Sequence, residues 1–386
     1  MRLCFLGPPP SIHLQRWVRH FIEGGHEAHL VSYEPVVPDI PGLHVHRLAD
    51  AQPSLSGSLA SPARDARTRR WWSGWLPAGC STLRMGLRWL SHGLRRTIRE
   101  IHPDILHGHF VSEHGFYAAL AGFSPLVVSA WGSDIMIHPW ASPVNRLLVA
   151  YTLRRSALIH SVSPVLSAKI HEFGVSPARI VTLPCGVDEG LLDLHAAPRS
   201  SPGPVLLNTK MLHDVYNFPI LIRAVGLLRA RYPTLILKLA GDGPLRKDLE
   251  RLVERLGVRQ QVEFLGVVSR TQLMEHLSSA DVFVSPSFSE GASVSLLEAM
   301  AVGVVPVVSD IPANREWIVH GQNGFLAPPT DALALAQAIE AALTQPEEWK
   351  RNTVSRNKQI IRSRALWKDQ MRLVEAAYQR LCRDRA

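Results

Sequence analysis

The sequence predicts an α/β protein whose two halves each form a doubly wound parallel sheet. Short apolar runs alternate with helical segments along both halves, which is typical of this fold class. A stretch rich in Pro and Ser at residues 196–204 separates the halves. The length of 386 residues also suits two or three domains at roughly 100–200 residues each. We therefore predict domains at 1–195 and 205–365, a linker at 196–204 and a closing helix at 366–386.

The first half repeats a strand, turn and helix order. Arg2–Leu6 is predicted to be a buried strand, Gly7–Ser11 a turn and His13–Glu23 a helix. The turn lacks G-x-G-x-x-G, so the dinucleotide fingerprint is absent. Further predicted strands are Ala28–Ser32, Leu43–Leu48, Ile105–Phe110, Leu126–Trp131, Leu158–Ser163 and Ile180–Leu183.

A basic segment follows the third strand. Arg64–Arg99 holds nine arginines against Asp65 alone, after a loop at Ala51–Ala66 that we predict to be flexible. Tryptophans and arginines at 69–75 suit either a membrane interface or a locally packed loop. A single helix is predicted next as a core-packed crossover with a solvated basic face. Its apolar face would hold Leu83, Leu87, Leu90, Leu94 and Ile98.

Charge and cysteine content limit the function classes. The net charge is +9, but Arg64–Arg99 and Trp349–Ala386 each carry +8, so the rest of the chain is at −7. These two basic segments favour an anionic partner such as a membrane surface, an acidic polymer or nucleic acid. The four cysteines have no paired spacing, which favours a reducing compartment over disulfides or zinc. No run reaches the ~20 apolar residues of a membrane span. We expect a cytoplasmic protein.

The second half repeats the strand–helix order. Its predicted strands are Val205–Asn208, Thr234–Ala240, Val262–Leu265, Asp281–Pro286, Val304–Ser309 and Gly324–Leu326. Its predicted helices are Phe218–Arg229, Leu245–Leu256, Thr271–Ser278, Val294–Met300, Ala332–Leu343 and Leu366–Leu381.

The segment Ser287–Met300 is the strongest candidate site. A strand leads into a turn of small residues, and a helix begins directly after the turn. The start of a helix offers unpaired N–H groups and a positive dipole end, which suit a phosphate. Glu290 and Glu298 lie eight residues apart beside this turn, and carboxylates there suit sugar or ribose hydroxyls.

Three histidines in the first half resemble part of a metal site. His107, His109 and His114 have no cysteine or carboxylate cluster beside them, so histidines that line a cleft or lie in the core are the favoured interpretation. No Asp-x-Asp occurs in the chain, and we expect no catalytic metal and no cofactor.

Ordered motifs along the chain resemble the retaining glycosyltransferases of family 4. The strongest is E-x7-E from Glu290 to Glu298. The other matching segments are Leu239–Pro244, Phe264–Gly266, Ala280–Ser287, Ala299–Ser309 and Gly321–Leu326, with looser matches at Pro103–His109 and Leu183–Asp188. The resemblance implies the GT-B fold, in which two Rossmann-like domains face each other across a cleft and a C-terminal helix crosses back to the N-terminal domain.

The resemblance also implies a donor site for a nucleotide-sugar. Glu290 would bind the donor sugar's hydroxyls and Glu298 the ribose hydroxyls. The backbone N–H groups of Ser293–Leu296 would meet the diphosphate. Lys210 would replace the family's usual arginine on the phosphate, while Tyr216 or Asn217 replaces a second lysine. The remaining residues assigned to donor binding are Gly291, Ala292, Val294, Ser295, Gly241 and Gly7.

The first half departs from the family where many relatives carry a histidine that contacts the donor sugar, because this chain has Trp131. His109, Asp134 or His107 would then hold the donor or orient the acceptor. Retention without an obvious nucleophile suggests that the acceptor attacks from the side the diphosphate leaves. The transition state would resemble an oxocarbenium ion.

Three functions remain open. The first is a glycosyltransferase that builds a surface polysaccharide or glycolipid, with Arg64–Arg99 against the inner membrane leaflet and a glycolipid or oligosaccharide acceptor. The second is a nucleotide-sugar 2-epimerase or a phosphorylase on the same fold, which would need other acid–base residues. The third is a basic nucleic-acid-binding module, although the chain lacks the stacking motifs of known modules. We expect no nucleic-acid partner.

Overall fold

A computed structural model describes residues 1–32, 34, 38–48, 80–91, 93–194 and 202–384. The loop predicted at Ala51–Ala66, the tryptophans at 71, 72 and 75, and most of the predicted linker lie outside these residues. The chain forms two compact units. The first consists of the described residues up to Cys185 together with those from Gln370 onward, and the second is Gly186–Asp369.

The first unit contains a seven-stranded parallel sheet in the order β3-β2-β1-β4-β5-β6-β7. Its strands are β1 Arg2–Leu6, β2 Glu27–Ser32, β3 Leu43–Arg47, β4 Ile105–His109, β5 Leu126–Ala130, β6 Leu158–Ser161 and β7 Ile180–Thr182. The strand order reverses between β1 and β4. In doubly wound sheets, ligands bind outside the carboxyl ends of the strands at such a switch point.

Helices pack on this sheet and complete the first unit. They are α1 Ile12–Glu23, α2 Cys80–Ser91, α3 Leu94–Ile101, α4 Gly115–Ala121, α5 Ser133–Met136, α6 His138–Ala141, α7 Pro143–Arg155 and α8 Pro164–His171. A π-helical turn, Phe110–His114, joins β4 to α4. Ser11 caps α1 by accepting from the Leu14 N–H, because Ser suits an N-cap position.

The closing helix returns the chain to the first unit, as predicted. This helix, Trp367–Arg383, begins in the second unit and ends in the first. The Tyr378 ring stacks on Phe21 with centroids 5.4 Å apart, and its hydroxyl lies 2.9 Å from His107 Nδ1. Burial of this aromatic pair and of its polar group together anchors the helix to the sheet.

The second unit contains a six-stranded parallel sheet in the order β10-β9-β8-β11-β12-β13. Its strands are β8 Val205–Asn208, β9 Ile236–Ala240, β10 Val262–Gly266, β11 Val282–Ser285, β12 Val305–Ser309 and β13 Phe325–Ala327. Its helices are α9 Phe218–Leu228, α10 Arg246–Leu256, α11 Arg270–Ser279, α12 Val294–Val302, α13 Pro312–Arg315, α14 Ala332–Thr344 and α15 Glu347–Arg364. By the same numbering, Trp367–Arg383 is α16. The switch point here lies between β8 and β11.

The predicted single helix through Leu83–Ile98 is wrong. Gly93 takes a left-handed conformation with φ of 93° and divides the segment into α2 and α3. Leu94 and Ile98 are buried as predicted, whereas Leu83 and Leu87 are 36% and 53% exposed. The apolar positions of α2 and α3 therefore do not form one continuous buried face.

Among the described residues, no helix is both long enough and apolar enough to cross a membrane.

A close backbone approach explains Gly108 in β4. A methyl group on Gly108 would lie 2.6 Å from Gly115 Cα and 3.0 Å from the Gly115 nitrogen. We expect Gly108→Ala to lower the free energy of unfolding by about 1–3 kcal/mol, because backbone atoms cannot yield to the added carbon. Chemical denaturation measures the effect. Gly190→Ala is the control, since nothing lies within 4 Å of its added methyl group, and equal stability losses would contradict this packing argument.

Candidate functional site

The loops after β8 and β11 bring two predicted site residues together. β8 ends at Asn208 and β11 at Ser285, and these strands are neighbours at the switch point of the second unit. Lys210 Nζ lies 2.8 Å from Glu290 Oε1. Their side chains are only 10% and 8% exposed. A charged pair this deeply buried is strongly interdependent, because removal of either partner leaves an unpaired charge.

Hydroxyl groups hold Glu290 in this position. Ser287 Oγ donates to Glu290 Oε1 at 2.8 Å, and Ser285 Oγ lies 3.1 Å from Ser287 Oγ. Ser309 Oγ donates to the Ser287 carbonyl at 2.6 Å. The carboxylate is therefore oriented by strand ends rather than by a free loop.

The Lys210 loop is fixed from two sides. A methyl group on Gly241 would lie 2.3 Å from the Lys210 carbonyl oxygen, so only glycine allows this approach. Asn217, at φ of 53°, donates through Nδ2 to the carbonyls of Pro286 and Pro329 at 3.3 and 2.6 Å. The Phe288 N–H donates to the Val215 carbonyl at 2.8 Å. Gly241 thus contributes to the site through Lys210.

Tyr216, which with Asn217 is one of the two residues predicted to replace the family's second lysine, lies beside Lys210. Lys210 Nζ lies 5.0 Å from the centre of the Tyr216 ring, within the range of a cation–π interaction. Burial raises the pKa of the Tyr216 phenol. Tyr216 therefore keeps Lys210 in place without adding a positive charge.

The predicted phosphate cradle corresponds to the start of α12. Ser293 is the N-cap and accepts from the Leu296 N–H at 3.3 Å. The prediction that Leu296 offers its N–H to a phosphate is therefore corrected. The N–H groups of Val294 and Ser295 have no acceptor within the described part of the chain. Gly291 and Ala292 lie in the turn between Glu290 and this N-cap.

Glu298 has a partner that sequence reasoning missed. Its Oε1 accepts a hydrogen bond from Arg270 Nη1, and Arg270 Nη2 also lies 3.5 Å from Asp188 Oδ2. Glu298 is buried in α12, whereas the Arg270 side chain is 49% exposed at the start of α11. The exposed guanidinium can move, so Glu298 is able to accept from a different donor.

The switch point of the first unit carries His109, with Gly7 beside it. His109 is fully buried, and neither ring nitrogen has a hydrogen-bond partner among the described residues. A methyl group on Gly7 would lie 3.1 Å from His109 Cβ. Trp131 stacks between His109 and His13, with centroids 5.7 and 4.4 Å away. The Trp131 Nε1 is likewise buried without a described partner.

Burial keeps four histidines of this unit neutral. Burial lowers the pKa of His107 and His109 well below its ordinary value, and neighbouring histidines lower it further. Burial lowers the pKa of both His114 and His160 to about 4. His107 Nε2 lies 2.8 Å from Ser129 Oγ, which assigns His107 to the core network. His109 is thus a neutral polar group suited to hydroxyls rather than to phosphate.

Asp134 organises backbone rather than facing a substrate. Its carboxylate accepts from the N–H groups of Val111, Trp131 and Gly132 at 2.9, 3.1 and 2.9 Å. The residue is fully buried, and burial raises the pKa of its carboxyl against the opposing effect of these bonds. The prediction that Asp134 holds a substrate is corrected, because both oxygens already bind backbone.

No group of three or more His, Cys, Asp or Glu side chains in the described ranges has an arrangement that could hold a metal ion.

Two family models match the chain on either side of residue 190. Glycosyl transferase 4-like domain matches residues 10–186, and Glycosyl transferases group 1 matches residues 195–360. The Anabaena protein Alr3699/HepE, solved in complex with UDP-glucose, is 18% identical with a TM-score of 0.74, covering 98% of this chain and 99% of that one. This likeness shows the GT-B fold.

Curated relatives align over part of their length. Glycogen synthase of Mycobacterium tuberculosis is 29% identical over 285 residues, which are 70% of this chain and 67% of that protein. The GDP-mannose-dependent α-(1-6)-phosphatidylinositol monomannoside mannosyltransferase of Mycolicibacterium smegmatis is 29% identical over 249 residues, covering 60% of this chain and 64% of that protein. The chain belongs to the family 4 glycosyltransferases, and it is a transferase enzyme.

The buried histidines predict a loss of stability in acid. Below pH 6.5 the histidines of the unfolded chain become protonated. In the folded chain His160 and His114 stay neutral down to their pKa values of about 4. Each group therefore removes up to ~1.4 kcal/mol per pH unit from the free energy of unfolding as the pH falls from 6.5 to 4. Urea denaturation across this range measures the slope. His160→Asn should flatten it and exposed His102→Asn should not; identical slopes would contradict the assignment.

Proposed function

We propose that this enzyme transfers a sugar, with retention of configuration, from a nucleotide-diphosphate sugar to an acceptor hydroxyl. The observation that carries the proposal is the buried Lys210–Glu290 pair beside the open N-terminus of α12. It supplies a cation, unpaired amides and a carboxylate within one strand-end site. Such a set matches a diphosphate joined to a polyhydroxylated group.

Each part of the donor has a proposed partner. Lys210 and the Val294 and Ser295 amides bind the diphosphate. Glu290 accepts from hydroxyls of the transferred sugar, and Glu298 accepts from the ribose once Arg270 moves aside. The Anabaena structure was solved with UDP-glucose and the mycobacterial relative is named for GDP-mannose, which supports a nucleotide-sugar but leaves base and sugar open.

The proposed chemistry is a front-face substitution. The bond between the anomeric carbon and the diphosphate oxygen breaks, and the acceptor oxygen bonds to the same face of that carbon. The leaving phosphate oxygen takes the acceptor's proton. Lys210 and the α12 amides stabilise the departing negative charge, which is where fixed dipoles and cations accelerate a reaction most. The proposal needs no metal ion, so equal rates are expected with and without EDTA.

The first unit contributes a neutral polar group. His109 presents a buried imidazole whose two nitrogens have no hydrogen-bond partner among the described residues, and this suits a hydrogen bond with a sugar hydroxyl. We keep His109 as the proposed contact with the donor sugar or the acceptor.

The proposed acceptor is a lipid-linked or polysaccharide precursor at the inner membrane face. The mycobacterial mannosyltransferase is named for a phosphatidylinositol acceptor. Exposed Leu83 and Leu87 beside exposed Arg84 on α2 also suit a lipid surface. The enzyme should therefore co-sediment with anionic vesicles. If it does not, the proposal that the acceptor lies at a membrane is wrong.

Charge removal at the pair tests the donor site. We expect Glu290→Gln to lower kcat by about 10²–10³-fold, the scale of one lost preorganised contact. It should also reduce stability by about 3–5 kcal/mol, because Lys210 stays buried without its partner. Adding Lys210→Met should restore stability but not activity. A panel of nucleotide-sugars identifies the donor for these assays.

The control is Glu250→Gln, which alters an exposed ion pair with Arg246 on α10. It should leave turnover unchanged. Full activity in the double variant Lys210→Met, Glu290→Gln would overturn the donor-site assignment.

Stereochemistry tests the route. Proton NMR of the first-formed product should show the donor's anomeric configuration, because attack and departure share one face. An inverted product would exclude the front-face substitution while leaving the donor site intact.

A further inference from the structure

A surface of the first unit built by α6 and α7 lies outside the proposed donor site. Residues 135–171 contain no Asp or Glu, while they include Arg146, Arg154, Arg155 and Lys169. A stretch of 37 residues without a carboxylate is unusual for a solvated helical surface. The charged side chains within this stretch are therefore all positive.

The same surface exposes large apolar side chains. Trp140 is 51% exposed, Leu147 69% and Tyr151 40%. Leu147 and Tyr151 lie one helical turn apart on α7, and only three of that helix's thirteen residues are buried. We call Trp140, Leu147, Tyr151 and the three arginines the α7 face. Tyr151 also contacts Phe116, with ring centroids 6.1 Å apart, so Leu147 and Trp140 are the most exposed apolar groups of this face.

The arginines of the α7 face are available to an anionic partner. Arg146, Arg154 and Arg155 have no ion-pair partner within the described ranges. The Arg146 guanidinium lies 4.6 Å from the Trp140 ring centre and 5.5 Å from that of Phe173. Glu172 lines the same groove as Arg146 and Arg154, and its carboxylate binds Lys169 at 2.8 Å. One carboxylate therefore lies among several cations, and the net charge of this surface is positive.

A second helix, α2, also exposes leucine and arginine side chains. α2 and α7 both pack against α4. α2 exposes Leu83, Leu87 and Arg84, and residues 66–99 also lack any carboxylate. Both of these helices that pack against α4 thus expose leucine and arginine together.

We propose that the α7 face docks on an anionic lipid bilayer. An aromatic ring at headgroup depth, leucine in the acyl boundary and arginine on lipid phosphate account for every exposed group of this face. A second copy of the chain is disfavoured, because a two-fold contact would bring like charges together. Nucleic acid would leave Leu147 without an apolar partner. The inference deepens the proposed function by assigning the membrane contact to a folded surface.

Vesicle co-sedimentation of the full chain tests this inference. Vesicles of phosphatidylcholine with 30% phosphatidylglycerol should bind the protein, and pure phosphatidylcholine should bind it far less. Arg154→Gln with Arg155→Gln should weaken binding by roughly 20-fold, since each basic side chain near such a surface contributes a factor of about five. Leu147→Glu with Tyr151→Glu should abolish it.

The matched control is Leu227→Glu on α9 of the second unit, where Leu227 is 55% exposed. It should bind vesicles as the unchanged chain does. Thermal unfolding confirms that each variant is folded. Equal vesicle binding by Leu147→Glu, Tyr151→Glu and the unchanged chain would overturn the inference and assign the contact to another segment. Loss of self-association in that variant, without any vesicle binding by the unchanged chain, would overturn it in favour of a dimer.

Donor binding separates this inference from the proposed function. The Leu147→Glu, Tyr151→Glu variant should keep the thermal stabilisation that the selected nucleotide-sugar gives the unchanged chain. If no nucleotide-sugar stabilises the unchanged chain but vesicles bind it, the proposed function fails and the docking surface stands.

Discussion

The buried ion pair between Lys210 and Glu290 is the constraint on which the second unit's site depends. It joins loops from two strands that meet where the sheet order reverses. Ser287 orients the carboxylate, Asn217 ties the lysine loop to its neighbours, and Gly241 allows the close backbone approach. A buried pair is costly to desolvate, so its retention favours a use for both charges.

The two units supply different chemistry. The second offers positive charge and unpaired amides at the start of α12, which suit a phosphate-bearing leaving group. The first offers histidines that burial keeps neutral, with His109 unpartnered at its own switch point. The Trp131 ring stacks on His109 at this switch point, with centroids 5.7 Å apart.

Local patterns allowed most of the fold and the Glu290 turn to be predicted. Parallel strands read as short apolar runs, and Gly or Ser marks their helix boundaries. Long-range contacts could not be predicted. Arg270 meets Glu298 across 28 residues, and Asp134 is occupied by backbone amides that no spacing reveals. The apolar periodicity of the sequence continues past Gly93, although the helix breaks there. The break depends on one residue in the left-handed conformation, which the periodicity does not reveal.

A structure of the enzyme with the nucleoside diphosphate of its selected donor tests the donor-site assignment most directly. We predict phosphate oxygens at hydrogen-bond distance, about 3 Å, from Lys210 Nζ and from the Val294 and Ser295 amides. The ribose hydroxyls should lie on Glu298, with Arg270 displaced. A nucleotide bound elsewhere, with the Lys210–Glu290 and Arg270–Glu298 pairs unchanged and no ligand at α12, would contradict the assignment.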